Sequence, residues 1–164
     1  KNCRSPQSRK RIYIIGNLHE KYIFPTPSKF RLVPVRSILD PDESAFLNYT
    51  EKYKLVKTSG TGSMCYKLIH KKTGKGGRQG ERVYSIEHCG PTICATSGGP
   101  GAKTGLYYIP EHKKIRRLSV KETLQMFGFP QSFKRTSIPS DEKMLFYLGN
   151  SIVVNVLDEI IQNL

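Results

Sequence analysis

Residues 74–101 read GKGGRQGERVYSIEHCGPTICATSGGPG, and the pattern of this run decides how the rest of the chain is organised. Glycines open and close it, and Gln79, Glu81 and Arg82 fall together near its start. Two segments between the glycine clusters, 82–86 and 92–96, carry the β-branched and aromatic residues of strands. A guanidinium forks two donors onto a guanine edge, a carboxylate accepts from cytosine N4, and a primary amide donates and accepts at once. Such a cluster suits a surface that reads bases, with Lys75 nearby for phosphates and Arg78 a further DNA-binding candidate. Glycine-rich loops before hairpins are more often plain scaffold. Composition has to tip the balance.

It does. The chain has 164 residues, with 27 Lys and Arg against 13 acidic residues and a formal charge of +14. That excess points to a polyanionic partner. The longest apolar runs, 12–15 and 152–154, are too short to span a bilayer, and no stretch sets a wide apolar face against a purely basic one. Nucleic acid is expected, and a membrane is not. Cys3, Cys65, Cys89 and Cys94 lack CxxC spacing and the density of a disulfide scaffold, so reduced thiols and no metal site are expected. Asn48-Tyr49-Thr50 fits a glycosylation acceptor, but nothing else suggests secretion. The chain opens at Lys1 without an initiator Met or a signal peptide, which reads as a fragment or a subunit of a split protein.

Outward from the central run, the N-terminal side begins with a basic cluster at residues 6–11 leading into Ile-Tyr-Ile-Ile at 12–15, a pattern that predicts a buried strand. Residues 17–42 carry Pro25, Pro27, Pro34 and Pro41 and read as a turn-rich connection between domains. A short helix capped by Asp42 is expected over 43–53. Between 53 and 109, strand-like pieces at 66–70, 82–86, 92–96 and 106–109 predict a small, strongly bent β domain with a lysine-rich surface.

On the C-terminal side the period becomes helical. Ser119 and Glu122 form a capping box for a helix ending by Gly128, and Ser140 caps a second helix that Gly149 stops. A third helix is expected from Asn150 or Ser151, with Val153, Val156, Leu157, Ile160, Ile161 and Leu164 along one face. Two decoys fall away. Residues 98–104, GGPGAKT, resemble a phosphate loop, but Ala102 replaces the required glycine and a strand-like run follows in place of a helix. Gly60-Thr61-Gly62 lacks the third glycine of a dinucleotide fingerprint.

Three separated segments, in this order, resemble motifs of the bacterial DNA (cytosine-5) methyltransferases. Residues 6–11 (PQSRKR) resemble the Gln-x-Arg-x-Arg motif, residues 117–130 the ninth motif, and residues 149–156 the tenth. The resemblance covers essentially the whole chain and implies an α+β fold. Residues 1–18 would be a strand of an α/β catalytic domain that is otherwise absent, 19–136 a small bent β-rich target recognition domain, and 137–164 helices returning to the catalytic domain.

The resemblance also implies an enzyme that binds S-adenosylmethionine and double-stranded DNA and flips its target cytosine out of the stack. Arg11 would hold the flipped ring, with Gln7 and Arg9 supporting it. Gln79 would fill the gap in the duplex, Glu81 and Arg82 would contact neighbouring bases, and Thr92 a phosphate. Asn150 and Ser151 would reach the cofactor. The family's nucleophile sits in a Pro-Cys loop, whereas Cys3, Cys65, Cys89 and Cys94 follow Asn2, Met64, His88 and Ile93. The chain is therefore expected to be inactive without an N-terminal half that supplies the thiolate. A cytoplasmic, nucleoid-associated bacterial protein is implied. A non-catalytic DNA-binding module, and an RNA-binding β domain using Tyr84, Tyr107 and Tyr108, stand as alternatives.

Overall fold

Tyr53–Lys57 (β1) and Met64–His70 (β2) form an antiparallel pair in which Leu55 faces Leu68, and Arg82–Ser85 (β3) joins the far side of β2. Leu106–Ile109 (β4) then pairs with β3 in parallel, and Lys114–Arg116 (β5) closes the sheet antiparallel to β4. The order is β1-β2-β3-β4-β5. The structure, a computed structural model, describes residues 5–16, 18–24, 33–60, 62–135 and 140–163. Cys3, Asn17, Pro25, Pro27, Leu164 and the 136/137 domain boundary lie outside the described residues.

The parallel step requires a crossover. Two parallel strands cannot be joined by a hairpin, because the chain must return to the end from which it started. Residues 86–105 make that crossover, and they carry Thr92, Ile93, Cys94 and the second glycine cluster. Register sorts the core: Val83 lies beside Leu106 and packs with Leu68 and Ile115 on one face. Tyr84 lies beside Tyr107 and packs with Ile93, Phe127 and Leu148 on the other. Lysines 54 and 57 on β1 put charge on the sheet edge, which discourages further strand pairing.

Val120–Met126 (α1) starts as the capping box predicts, with Ser119 Oγ accepting from Glu122 N, and Gly128 beyond it adopts φ 82°. Asp141–Asn150 (α2) is capped by Ser140, whose Oγ accepts from Lys143 N. Val154–Ile161 (α3) follows, held by a bond from Val154 N to Phe127 O (2.8 Å). No α3 residue is fully buried, and Ile161 remains 62 % exposed. Residues Asp141–Ile161 pass a length and composition test for crossing a membrane, but here they are two helices separated at 151–153. The fold class is α+β, as expected.

Four local expectations need correction. Residues 12–15 form no strand and pair with none of the described strands; Ile12 and Ile14 are 91 % and 93 % exposed. The N-terminal segment's described β pairing is a single bridge between Gln7 and Gly90. The helix over 43–53 is absent because the backbone bonds elsewhere: Leu47 N donates to Ile115 O (2.9 Å) and Phe46 bridges Arg116. Residues 92–96 belong to the crossover and join no ladder. Finally, α2 runs through Gly149, so α3 starts at Val154 and Asn150 ends α2. A Cβ at Gly149 would collide with Ala95 N, so that glycine serves close packing of α2 on the crossover. β1 and β5 add two strands that the sequence pattern did not separate from turns.

Candidate nucleic-acid interface

The loop carrying Gln79, Glu81 and Arg82 is held by glycine contacts on both sides. Gly76 bridges Ile69, and Gly77, at φ 79°, donates its N–H to Leu68 O (3.2 Å), fastening the loop to β2. Residues Gln79–Glu81 form a short 3-10 helix whose buried Gly80 lies against the second glycine cluster. Gly101 N donates to Gly80 O (2.7 Å), and a Cβ on Gly80 would strike the Gly98 carbonyl. The two clusters thus meet each other, which only residues without a side chain permit.

On this base Gln79 and Arg82 are exposed and Glu81 is half-buried. Gln79 Nε2 donates to Cys94 Sγ (3.1 Å), and Arg82 Nε donates to Gly77 O (3.1 Å). Burial pushes the Tyr84 phenol up, and Arg82 beside it acts in the opposite direction. Glu81 Oε2 accepts from Arg78 N (3.0 Å), so this carboxylate caps its own loop with one oxygen. Lys75 and Arg78, both exposed, line a cleft of about 430 Å³ with His70, Thr73, Gly76 and Glu81. Two cationic side chains share that cleft with a carboxylate already engaged by backbone.

The basic segment at 7–11 divides into an inner and an outer part. Gln7 is buried, and its Oε1 accepts from Ile93 N (3.1 Å). Arg9 donates from Nη1 to Ile93 O (2.8 Å) and from Nη2 to Gly149 O (2.8 Å) and Ser151 O (3.0 Å). Its guanidinium also lies 5.4 Å from the Phe127 ring centroid. Burial, then the charge of Arg11, lowers the Arg9 pKa. A guanidinium stays charged throughout the physiological range. Arg9 therefore binds the crossover, the end of α2 and the turn after α1 into one unit. Arg11, two residues on, is exposed and donates to Lys10 O (2.6 Å). Its charge is available to a partner outside this fold.

Thr92 Oγ1 donates to Ser8 O (2.6 Å), which commits its proton; a phosphate would have to displace that bond. Asn150 is exposed and donates Nδ2 to Phe146 O (3.2 Å), while Ser151 offers its carbonyl to Arg9. Phe146 and Tyr147 are exposed aromatic faces on the same helix. Amide and aromatic faces are suitable donor and stacking chemistry for one wall of a nucleoside site, while the Ser151 hydroxyl already donates to Ile152 O (3.3 Å).

The fold thus joins Gln7, Arg9, Thr92, Ser151 and Gln79 through residues 92–94. It places Lys75, Arg78 and Glu81 at a neighbouring cleft and leaves Arg11 and Asn150 projecting. Sequence patterns missed Ile93 and Gly149, which act through their carbonyls and carry no side-chain signature, and Cys94, whose spacing signals nothing. They also missed Arg116, which forks onto Glu122 at 2.8 and 2.7 Å with both side chains at most 3 % exposed.

Comparison with known proteins places the chain in a family. The family described as C-5 cytosine-specific DNA methylase matches residues 1–164. The type II methyltransferase M.HhaI of Haemophilus parahaemolyticus is 35 % identical over 97 % of this chain and 49 % of its own length. The orphan methyltransferase M.SssI of Spiroplasma monobiae is 30 % identical over 98 % of this chain and 41 % of its own. Among solved structures, the Entamoeba histolytica methyltransferase EhMeth superposes with a TM-score of 0.59 at 14 % identity, covering 98 % of this chain and 49 % of that one. The chain spans about half the length of the relatives it matches.

Proposed function

The chain belongs to the C-5 cytosine-specific DNA methylase family, and on that premise we propose that it is the part of a DNA (cytosine-5) methyltransferase that selects the site on duplex DNA and completes the reaction centre. In this reading residues 1–18 and 137–164 join a catalytic domain, and 19–136 form the target recognition domain. The supporting observation is that Gln79, on the base-reading loop, contacts Cys94, next to the residue that Gln7 and Arg9 hold. Base reading and the basic segment share one rigid reference.

The residues divide the work. Arg82 and Glu81 contact bases in the major groove, Gln79 fills the space left by the flipped cytosine, and Lys75, Arg78 and Thr92 follow the backbone. Arg11 lies against the flipped ring, where fixed positive charge stabilises the electron density that arrives when a thiolate adds to C6. Gln7 and Arg9 keep Arg11's segment in register. S-adenosylmethionine, when bound, supplies the electrophilic methyl group, with Asn150 and Ser151 forming one wall of its site. The thiolate comes from an N-terminal half carrying a Pro-Cys loop, since every cysteine here follows a residue other than proline. The working enzyme is a cytoplasmic, nucleoid-associated protein of a bacterium.

Mixing the chain with an N-terminal half that bears the Pro-Cys loop tests this. Transfer of labelled methyl groups to duplex DNA by the mixture, and none by either part alone, is expected. Methylation by this chain alone would refute the assignment of the nucleophile.

A further inference from the structure

Residues 92–94 are fastened on one side and offered on the other. Thr92 Oγ1 donates to Ser8 O (2.6 Å), Ile93 N donates to Gln7 Oε1 (3.1 Å), and Ile93 O accepts from Arg9 Nη1 (2.8 Å). Cys94 N donates to Lys103 O (3.1 Å), and Cys94 Sγ–H points to Thr92 O (3.4 Å). The same sulfur accepts from Gln79 Nε2 (3.1 Å). A thiol is the terminus of a bonded chain from the basic segment to the base-reading amide.

We propose that Cys94 is the positioning residue for Gln79, holding its amide in one orientation relative to Arg9 and Arg11 before DNA arrives. The inference rests on the proposed function, in which Gln79 enters the duplex. With one N–H committed to sulfur, the amide presents its oxygen and second N–H as the remaining base-reading pair. Sulfur suits the role because it is a weak acceptor: the contact orders the side chain yet yields to a stronger partner in DNA. An ordered side chain enters with less rotamer entropy left to lose. The contribution is to discrimination between sites, not to chemistry at C5.

Two readouts on the full chain and its assembled enzyme test this. In the 15N-labelled chain, the Gln79 side-chain amide signal is identified by its loss in Gln79→Ala. In Cys94→Ala its two protons should move toward free-amide positions, and Cys94→Ser, which keeps an acceptor, should restore their separation. In the assembled enzyme, bisulfite sequencing of methylated plasmid gives the ratio of methylation at the dominant sequence to its single-base variants. That ratio should fall about twofold in Cys94→Ala, the factor the weakest ordinary hydrogen bonds represent, and recover in Cys94→Ser. A Gln79 signal that ignores Cys94→Ala, or an unchanged ratio, overturns the positioning role. Absence of methyl transfer by the wild-type assembly counts instead against the proposed function, and the amide signal then decides Cys94 alone.

Discussion

Arg9 donates to the Gly149 carbonyl at 2.8 Å across 140 residues of sequence. The bond ties the first described segment to the end of α2, and the same guanidinium reaches Ile93 O on the crossover. A fork can satisfy carbonyls in different directions at once, whereas an ammonium is a point charge.

Arg9→Met is expected to cost about 3 kcal/mol, since several charge-assisted bonds to carbonyls are lost. Arg9→Lys should recover less than half of it. Arg11→Ala, on an exposed side chain, should stay within about 0.5 kcal/mol. Urea midpoints of the three variants decide this; equal losses at positions 9 and 11 would contradict the inner and outer division of the segment.

The contrast between these arginines marks what the sequence disclosed. Their spacing identified the segment, but not which one turns inward, because Arg9's partners are backbone carbonyls distant in sequence. Local features were legible: the Ser119–Glu122 box involves neighbours, and β4 is bounded by Gly105 and Pro110. Residues 92–96 have the composition of a strand yet bond to Gln7, Ser8 and Arg9. Residues 12–15 likewise look like a strand, but strand formation needs a partner and no described strand supplies one. Gly149 read as a helix stop when its role is close packing against Ala95.

Arg116 and Glu122 form a buried pair, and Glu122 also accepts from Asp40 N (2.7 Å) and Ser119 N (2.8 Å). Arg116→Met should cost about 3–5 kcal/mol by leaving a buried carboxylate without its counter-charge. Adding Glu122→Leu should not restore wild-type stability, because two backbone N–H groups lose their acceptor at about 1–3 kcal/mol each. A double variant as stable as wild type in urea would contradict this.

Gly80→Ala places a methyl against the Gly98 carbonyl, so the two glycine clusters must separate. Gly74, at φ 65°, has nothing within 4 Å of an added Cβ, and Gly74→Ala should cost only about 1 kcal/mol of backbone strain. DNA affinity should fall sharply for the first and little for the second. Equal affinities would show that the clusters need not touch.

Tyr107 is fully buried, its hydroxyl has no hydrogen-bond partner among the described residues, and burial pushes its pKa up. The unfolded chain releases this proton near the ordinary phenol pKa of about 10 while the folded chain retains it. The contribution to stability is therefore complete below that pH and is lost as pH rises toward the folded value, at about 1.4 kcal/mol per pH unit. Tyr84 and Cys65, also raised by burial, act in the same direction. Tyr107→Phe should be neutral or stabilising at pH 7 and flatten the alkaline loss by one proton's slope. Urea titrations from pH 7 to 11 measure both; a destabilised Tyr107→Phe at pH 7 would contradict the unpaired hydroxyl.

The central claim is that this chain itself chooses a sequence on duplex DNA, and selection from a random duplex pool at fixed salt tests it most directly. Wild type should enrich one short motif. Arg82→Ala should lose about 1–3 kcal/mol of discrimination at a single base pair, whereas Lys75→Ala should weaken all sequences alike and reduce the salt slope by about 1. Failure to enrich any motif, or equal losses on selected and scrambled duplexes for Arg82→Ala, would contradict the account.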